Sequence, residues 1–374
     1  MKMYSVLEKY KDELYTCNRS HCGFCQEGCQ AYKIMGFEQY SSRGRMLISR
    51  SLIENRAQID ESVVDSAFNC FLCGFCNAKC ALYPTDIFMA LRREIKIRGL
   101  TPEPILHVIK NISTAGNPYA FSKEDRWSWF SKYSNQHSEI LYFPGCVYSY
   151  LYPKNTETIF KLLKKSGFDI SYSPEIDFCC GYPTYLAGDY ETFQRIATEN
   201  FKKWKNKGIK KIYTPCPGCY KAIGELYPEF VDNFDIEAQH VVLGLFEAYE
   251  SGKIVFNKKY TSVTYHDPCD LTRFMKVVEE PRKLIEAVSN DLIETTYNKF
   301  FAKCCGGGGL VLVNNPKLSL KASIERVKEM SLTGADYITT ACPTCYRTLN
   351  KGLKKAKIKM KLLDLEEMLF SAFL

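Results

Sequence analysis

Tyr265-His266-Asp267-Pro268-Cys269, Cys304-Cys305-Gly306-Gly307-Gly308-Gly309 and Cys342-Pro343-Thr344-Cys345 set five cysteines out as a single residue, an adjacent pair and a C-x-x-C. The same order occurs upstream as Cys146, Cys179-Cys180-Gly181 and Cys216-Pro217-Gly218-Cys219, with gaps that differ by one or two residues. A tetrahedral zinc is satisfied by four ligands, and two adjacent cysteines rarely reach one small ion. An iron-sulfur cluster spreads several irons through a larger volume, so adjacent thiolates can hold different irons. The spacing therefore predicts two five-cysteine iron-sulfur sites, one on Cys146, Cys179, Cys180, Cys216 and Cys219, the other on Cys269, Cys304, Cys305, Cys342 and Cys345.

Toward the N-terminus, Cys17-Asn18-Arg19-Ser20-His21-Cys22-Gly23-Phe24-Cys25-Gln26-Glu27-Gly28-Cys29 and Cys70-Phe71-Leu72-Cys73-Gly74-Phe75-Cys76-Asn77-Ala78-Lys79-Cys80 follow the ferredoxin spacing C-x2-C-x2-C-x3-C, the first with a longer opening gap. Three cysteines in a tight turn can cap three corners of a cube, while the fourth corner faces away and takes a ligand from elsewhere. In two-cluster ferredoxins the last cysteine of each run ligates the other run's cluster, which predicts one cubane 4Fe-4S cluster on Cys17, Cys22, Cys25 and Cys80 and a second on Cys70, Cys73, Cys76 and Cys29. Zinc is disfavoured because its motifs come as C-x2-C pairs rather than triplets. The glycines from Gly306 to Gly309 lack the Lys-Ser/Thr that follows a phosphate loop. Gly181, Gly306 and Gly307 are read instead as cofactor-binding positions where backbone N–H groups approach cluster sulfur closely.

A length of 374 residues corresponds to two or three domains, and 46% hydrophobic residues suffice for real cores. Eighteen cysteines could staple a secreted scaffold, but the opening Met1-Lys2-Met3-Tyr4-Ser5 has no apolar signal core. Every cysteine falls in a cluster, which in a reducing compartment reads as metal or redox chemistry. The net charge of +8 is spread along the chain, densest from Lys351 to Lys361, and reads as a solvated face; no nucleic-acid motif accompanies it. No apolar run approaches the roughly 18 to 20 residues of a membrane-spanning helix. The expected location is cytoplasmic, with any membrane association made through a partner subunit.

Strand-like runs alternate with helical ones in both cysteine-rich halves. Ile140 to Phe143, Ile170 to Tyr172 and Lys211 to Thr214 read as strands, with helices from Thr156 to Lys165 and Tyr190 to Lys205. Ser262 to Tyr265 and Tyr337 to Thr340 are their counterparts as strands, with helices from Pro281 to Val288 and Leu318 to Ser331. Each half is expected to close with an apolar helix, near Ile236 to Tyr249 and Leu362 to Phe373. The pattern implies an α/β class with parallel sheets and ligands at the carboxyl ends of the strands. The expected domains are a small helical, ferredoxin-like dicluster domain over 1–112, a linker over 113–138 pinned by Trp127, Trp129 and Phe130, and two similar α/β domains over 139–255 and 256–374.

With those residues assembled, nearly the whole chain resembles the paired-cysteine (CCG) iron-sulfur family that includes the D-type subunit of heterodisulfide reductase and the iron-sulfur subunits of glycolate oxidase and anaerobic glycerol-3-phosphate dehydrogenase. The resemblance rests on the twin ferredoxin runs, Ser42-Arg43-Gly44-Arg45 between them, Gly116-Asn117-Pro118 and Arg126-Trp127, and the two complete paired-cysteine sets. Where the family has prolines after each fourth cysteine this chain has Gln30 and Ala81, and Asp270 and Thr272 replace the family's histidine and glycine. The resemblance implies two cubane clusters and two non-cubane 4Fe-4S clusters at the CCG motifs, with a disulfide or small thiol substrate handled between the latter. His266, with a pKa range suited to proton transfer, is the candidate catalytic residue, as proton donor to a departing thiolate, the alternative being that it caps a strand end. The alternative is an electron-transfer subunit without catalysis. Such a subunit would link a flavoprotein dehydrogenase, acting on a hydroxy acid or glycerol 3-phosphate, to a quinone. Either role calls for a partner: a flavoprotein dehydrogenase or electron-transfer flavoprotein, or a membrane cytochrome b or quinone-linked subunit.

Overall fold

Short apolar runs that stop just before a cysteine build the two sheets. In the computed structural model, which describes residues 4–130 and 138–374, Ile140–Tyr142 (β1), Lys211–Thr214 (β2) and Glu237–His240 (β3) pair in parallel in the order β1-β2-β3. Tyr260–Tyr265 (β4), Ser289–Leu292 (β5), Tyr337–Thr340 (β6) and Lys361–Asp364 (β7) form a second parallel sheet in the order β5-β4-β6-β7. Leu141, Ile212, Val263 and Ile338 are completely buried, as strands of a parallel sheet covered on both faces require. Met1 to Met3, and the part of the expected linker from 131 to 137, lie outside the described residues.

Two expected elements divide. The apolar segments near Ile236 to Tyr249 and Leu362 to Phe373 are each a strand followed by a helix rather than a helix alone: β3 runs into Val241–Glu250, and β7 into Leu365–Ala372. Glu237-Ala238-Gln239-His240 has little strand propensity, so pairing with β2 extends it where local preference would not. His240 and Asp364 mark the two changes of conformation. His240 Nδ1 accepts from the Val242 N–H at 3.3 Å, and Asp364 forms a capping box with Glu367. Ile170 to Tyr172 makes only a single bridge, Ser171 to Leu141, where the second half has β5.

The N-terminal region is helical. Lys11–Ser20, Ser42–Ile53, Glu61–Phe68 and Pro84–Ile97 enclose Leu7, Leu14, Met46, Leu52 and Phe68. Pro84–Ile97 ends before Gly99, and beyond Pro102 a further helix runs Glu103–Ala115. Ser41 Oγ accepts from the Gly44 N–H at 2.9 Å and starts the helix Ser42–Ile53. A Cβ at Gly44 would overlap the Glu38 carbonyl oxygen, which belongs to the backbone and cannot swing aside. Gly44→Ala is therefore expected to destabilise the N-terminal region by about 1–3 kcal/mol, and an unshifted denaturation midpoint would refute this.

One large core joins the two sheets, containing Tyr142, Phe160 and Tyr172 from the first half and Val263, Leu284 and Leu369 from the second. Trp129 and Phe130 enter the same core, with the Trp129 ring 4.7 Å from that of Tyr172. Tyr148 donates to Asp364 across the halves. The shared core turns the cysteine-bearing ends of both sheets toward each other.

Candidate metal centres

All eighteen cysteines are free thiols. Cys17 sits in the helix Lys11–Ser20, Cys22 and Cys25 flank a turn at Gly23 with φ of 68°, and Cys80 follows the helix Phe75–Lys79. These four line a single cavity together with Ser42, Arg43 and Lys79. Burial and the neighbouring Cys25, Cys80 and Cys22 push the Cys17 thiol up to about 11. In the second group, Gly74 repeats the left-handed turn with φ of 69°. Burial, then nearby Cys70, Cys73 and Cys29, hold the Cys76 thiol well above its ordinary range. Cys29 is likewise raised to about 11 by burial, opposed by Arg45 and reinforced by Cys70 and Cys73. The structure thus brings the last cysteine of each run to the other run's triplet.

In the first five-cysteine group, β1 delivers Cys146, β2 delivers Cys216, and the pair Cys179-Cys180 comes from the loop before Tyr182–Leu186. The thiols of Cys146 and Cys179, of Cys180 with Cys179 and Cys219, and of Cys219 with Cys216 are electrostatically coupled neighbours. The neighbouring Cys179 and Cys219 thiols draw the Cys180 thiol down to about 6. Gly181 sits at φ of 77° and donates its N–H to Cys179 Sγ at 3.4 Å. The segment expected as a linker supplies part of this site. Arg126, buried, pairs with Asp177 Oδ1 at 2.7 Å and donates to Cys146 Sγ at 3.3 Å, while the Gly116 carbonyl accepts from the Cys179 N–H at 3.0 Å. The sequence marked Arg126-Trp127 and Gly116-Asn117-Pro118 as motif residues, but nothing local in them pointed to a sulfur.

In the second group β4 leads to Cys269 and β6 to Cys342, and the pair Cys304-Cys305 precedes the glycines. Gly306 N–H donates to Cys304 Sγ and Gly307 N–H to Cys305 Sγ, both at 3.4 Å, and Cys345 N–H donates to Cys342 Sγ at 3.4 Å. His266 is buried beside this set, and a nitrogen of its ring and the sulfurs of Cys305 and Cys345 all lie within 4.8 Å of one another. Its Nδ1 accepts from Arg326 Nε at 3.1 Å. Burial lowers the His266 pKa, the neighbouring Cys305 thiol opposes that, and the Arg326 charge adds to it. Asp267 of the same motif is tied to Arg282 at 2.8 and 3.0 Å, a buried pair that holds the loop.

The groups are connected. The Cys304 thiol is electrostatically coupled to Cys305 and to Cys73 of the N-terminal region. Gly308 and Gly309 are seated where any Cβ would press on the carbonyls of Phe71 and Cys70. Cys342 lies within electrostatic reach of Cys216. Tyr182, just after the first cysteine pair, donates to Asp270, just after Cys269, at 3.1 Å. Sequence spacing contains no signal for these contacts.

Single-ion chemistry does not suit the four-cysteine groups. Sulfurs on one tetrahedral zinc, with Zn–S of about 2.3 Å, lie about 3.8 Å apart. Among the described residues, no three cysteines crowd within 4.8 Å of one another. Cys17, Cys22, Cys25 and Cys80 instead surround a common cavity, which fits a multi-iron cluster.

The comparisons agree with this geometry. The cysteine-rich domain CCG matches residues 140–224 and 263–350, and the 4Fe-4S dicluster domain matches residues 13–87. The chain carries two CCG domains behind a 4Fe-4S dicluster domain. This CCG protein is 28% identical to the D-type subunit of the dihydromethanophenazine:CoB--CoM heterodisulfide reductase of Methanosarcina mazei, over 96% of its own length and 94% of the relative. It is 25% identical to the B-type subunit of the fumarate reductase (CoM/CoB) of Methanothermobacter marburgensis, over 98% of the CCG protein and 74% of that relative. It is 24% identical to the EtfAB:quinone oxidoreductase of Syntrophomonas wolfei, over 97% of its length but 59% of the relative's. The CCG protein is an iron-sulfur oxidoreductase subunit of the heterodisulfide reductase type. No helix among its described residues is long and apolar enough to cross a membrane.

Proposed function

We propose that this CCG protein takes electrons from a partner subunit and reduces a disulfide between its two five-cysteine groups. The observation that carries the reading is the continuity of sites: Cys73 against Cys304, and Cys342 near Cys216. Cys17, Cys22, Cys25 and Cys80 would hold one cubane 4Fe-4S cluster, and Cys29, Cys70, Cys73 and Cys76 the other. The groups Cys146, Cys179, Cys180, Cys216, Cys219 and Cys269, Cys304, Cys305, Cys342, Cys345 would each hold a non-cubane cluster. When bound, such clusters supply one-electron storage and iron that can receive a thiolate. Two electrons and two protons convert one disulfide into two thiols.

The chain's own part is placement. Gly181, Gly306 and Gly307 bring backbone donors to ligand sulfurs, and the Tyr182–Asp270 bond fixes the separation of the two halves at the point where a substrate would lie between them. The boundaries 1–112, 139–255 and 256–374 remain the proposed units. His266 lies against a ligand sulfur, and its proposed part is to hold that sulfur rather than to release a proton.

A second reading is favoured by the EtfAB:quinone oxidoreductase relative: the same chain of sites conducts from a flavoprotein to a quinone-linked acceptor with no disulfide. Anaerobic purification, iron quantitation and electron paramagnetic resonance, followed by candidate disulfides added to the reduced protein, separate the two. A new paramagnetic signal that depends on the disulfide is expected. If every disulfide tried leaves the spectrum unchanged, the conducting role replaces the catalytic one.

A further inference from the structure

The two five-cysteine groups occupy equivalent places but meet different side chains. Phe143 follows β1 and its N–H bonds to the Tyr213 carbonyl in β2; His266 follows β4 and its N–H bonds to the Thr339 carbonyl in β6, each at 2.8 Å. Each residue stands three positions before the leading cysteine, Cys146 or Cys269. In the first half the ring is apolar and meets the edge of Trp204 at 5.8 Å. In the second it is an imidazole that faces Cys305 and Cys345 and is held from behind by a buried arginine.

An arginine side chain has donors only. Arg326 Nε, at 3.1 Å from His266 Nδ1, therefore requires Nδ1 to be the bare, accepting nitrogen, and the ring proton must sit on Nε2. The rest of the guanidinium cannot swing away: Nη1 donates to the Tyr297 carbonyl at 3.0 Å and Nη2 to Thr295 Oγ1 at 3.3 Å, with Glu329 paired at 3.1 Å. Nε2–H is then the ring's one donor, and the ring has a nitrogen within 4.8 Å of the sulfurs of Cys305 and Cys345. A hydrogen bond to a ligand sulfur withdraws electron density from the iron it serves and raises the reduction potential.

Resting on the cluster reading given above, we propose that His266 donates an Nε2–H hydrogen bond to Cys305, that Arg326 is the positioning residue that enforces this tautomer, and that the pair sets the potential of the second five-cysteine cluster independently of the first. The first group has its own donor of another kind, the charged Arg126 on Cys146, brought in from outside the sheet. The two clusters are thereby tuned through separate side chains.

The test uses the anaerobically purified holoprotein with ¹⁵N-labelled histidine. Pulsed paramagnetic resonance of the second five-cysteine cluster is expected to show one weak nitrogen coupling, as from a hydrogen-bonded ring. A strong coupling would make His266 a ligand, and no coupling would remove it from the cluster; either overturns the proposal. In redox titrations, His266→Phe is expected to shift the oxidised-to-reduced ratio of that cluster about tenfold toward oxidised at fixed potential, a fall of about 59 mV for one electron. His266→Gln, which keeps an N–H, is expected to restore most of it, and Arg326→Met to move the same midpoint and no other. Equal midpoints in His266→Phe and the unsubstituted protein would overturn the tuning role even if the labelled spectra agree. Iron and spectra that reveal no cluster on Cys305 in the unsubstituted protein would instead defeat the underlying cluster reading.

Discussion

Cys80→Ala is expected to strip the cluster from the cavity lined by Cys17, Cys22 and Cys25 and to leave the group of Cys29, Cys70, Cys73 and Cys76 loaded. Cys80 belongs by sequence to the run of Cys70, Cys73 and Cys76, but its side chain lines the other run's cavity. Substitutions behind a ligand already cost about 10–100-fold in metal affinity, and loss of a ligand itself is expected to exceed that. Cys29→Ala should do the reverse, because Cys29 sits with Cys70 and Cys73. Iron content should fall by about one cluster's worth in each variant, and the surviving paramagnetic signal identifies which was lost. If Cys80→Ala removed the signal that Cys73→Ala removes, the crossed assignment would be wrong.

Arg126→Ala carries the second large effect. The guanidinium is buried, pairs with the buried carboxylate of Asp177, and donates to the Phe178 carbonyl at 3.0 Å as well as to Cys146. Removing one partner of a buried pair strands the other charge, at a cost of about 3–5 kcal/mol. The affected segment is local, so backbone hydrogen exchange at Tyr142 and Phe143 is the suitable measurement. Exchange there should accelerate roughly a hundredfold to a few thousandfold, at about 1.4 kcal/mol per tenfold. The first five-cysteine cluster should also be lost more readily than the second. Arg126→Lys keeps the charge without the planar fork and is expected to recover only part of the protection; exchange unchanged in Arg126→Ala would refute the argument.

Thiol placement was the most legible part of the molecule, because a cysteine's spacing directly encodes which corner of a cluster it can reach. The central strands were equally plain: Lys211 to Thr214 and Tyr337 to Thr340 were expected and observed with the same bounds. Of the outer strands, β1 was anticipated by Ile140 to Phe143, while β3, β5 and β7 were not. Glu237 to His240 is a strand only because β2 lies beside it, and Lys361 to Asp364 continues into an apolar helix that hides it in a periodicity scan. Among the site residues, Arg126 and Arg326 act across long sequence separations on a sulfur and on a ring nitrogen. A buried arginine looks like any surface arginine until the fold surrounds it, so only the coordinates could assign them.

The seating of Gly308 and Gly309 on the carbonyls of Phe71 and Cys70, with Arg273 donating to the Cys73 carbonyl at 2.8 Å, has a consequence for biogenesis. These partners are separated by 200 residues in the case of Arg273 and Cys73. At roughly 5–20 residues per second, the ribosome needs on the order of 10–40 s to produce the later partner after the earlier one. During that interval the Cys70 loop lacks the cover that Gly308, Gly309 and Arg273 later supply.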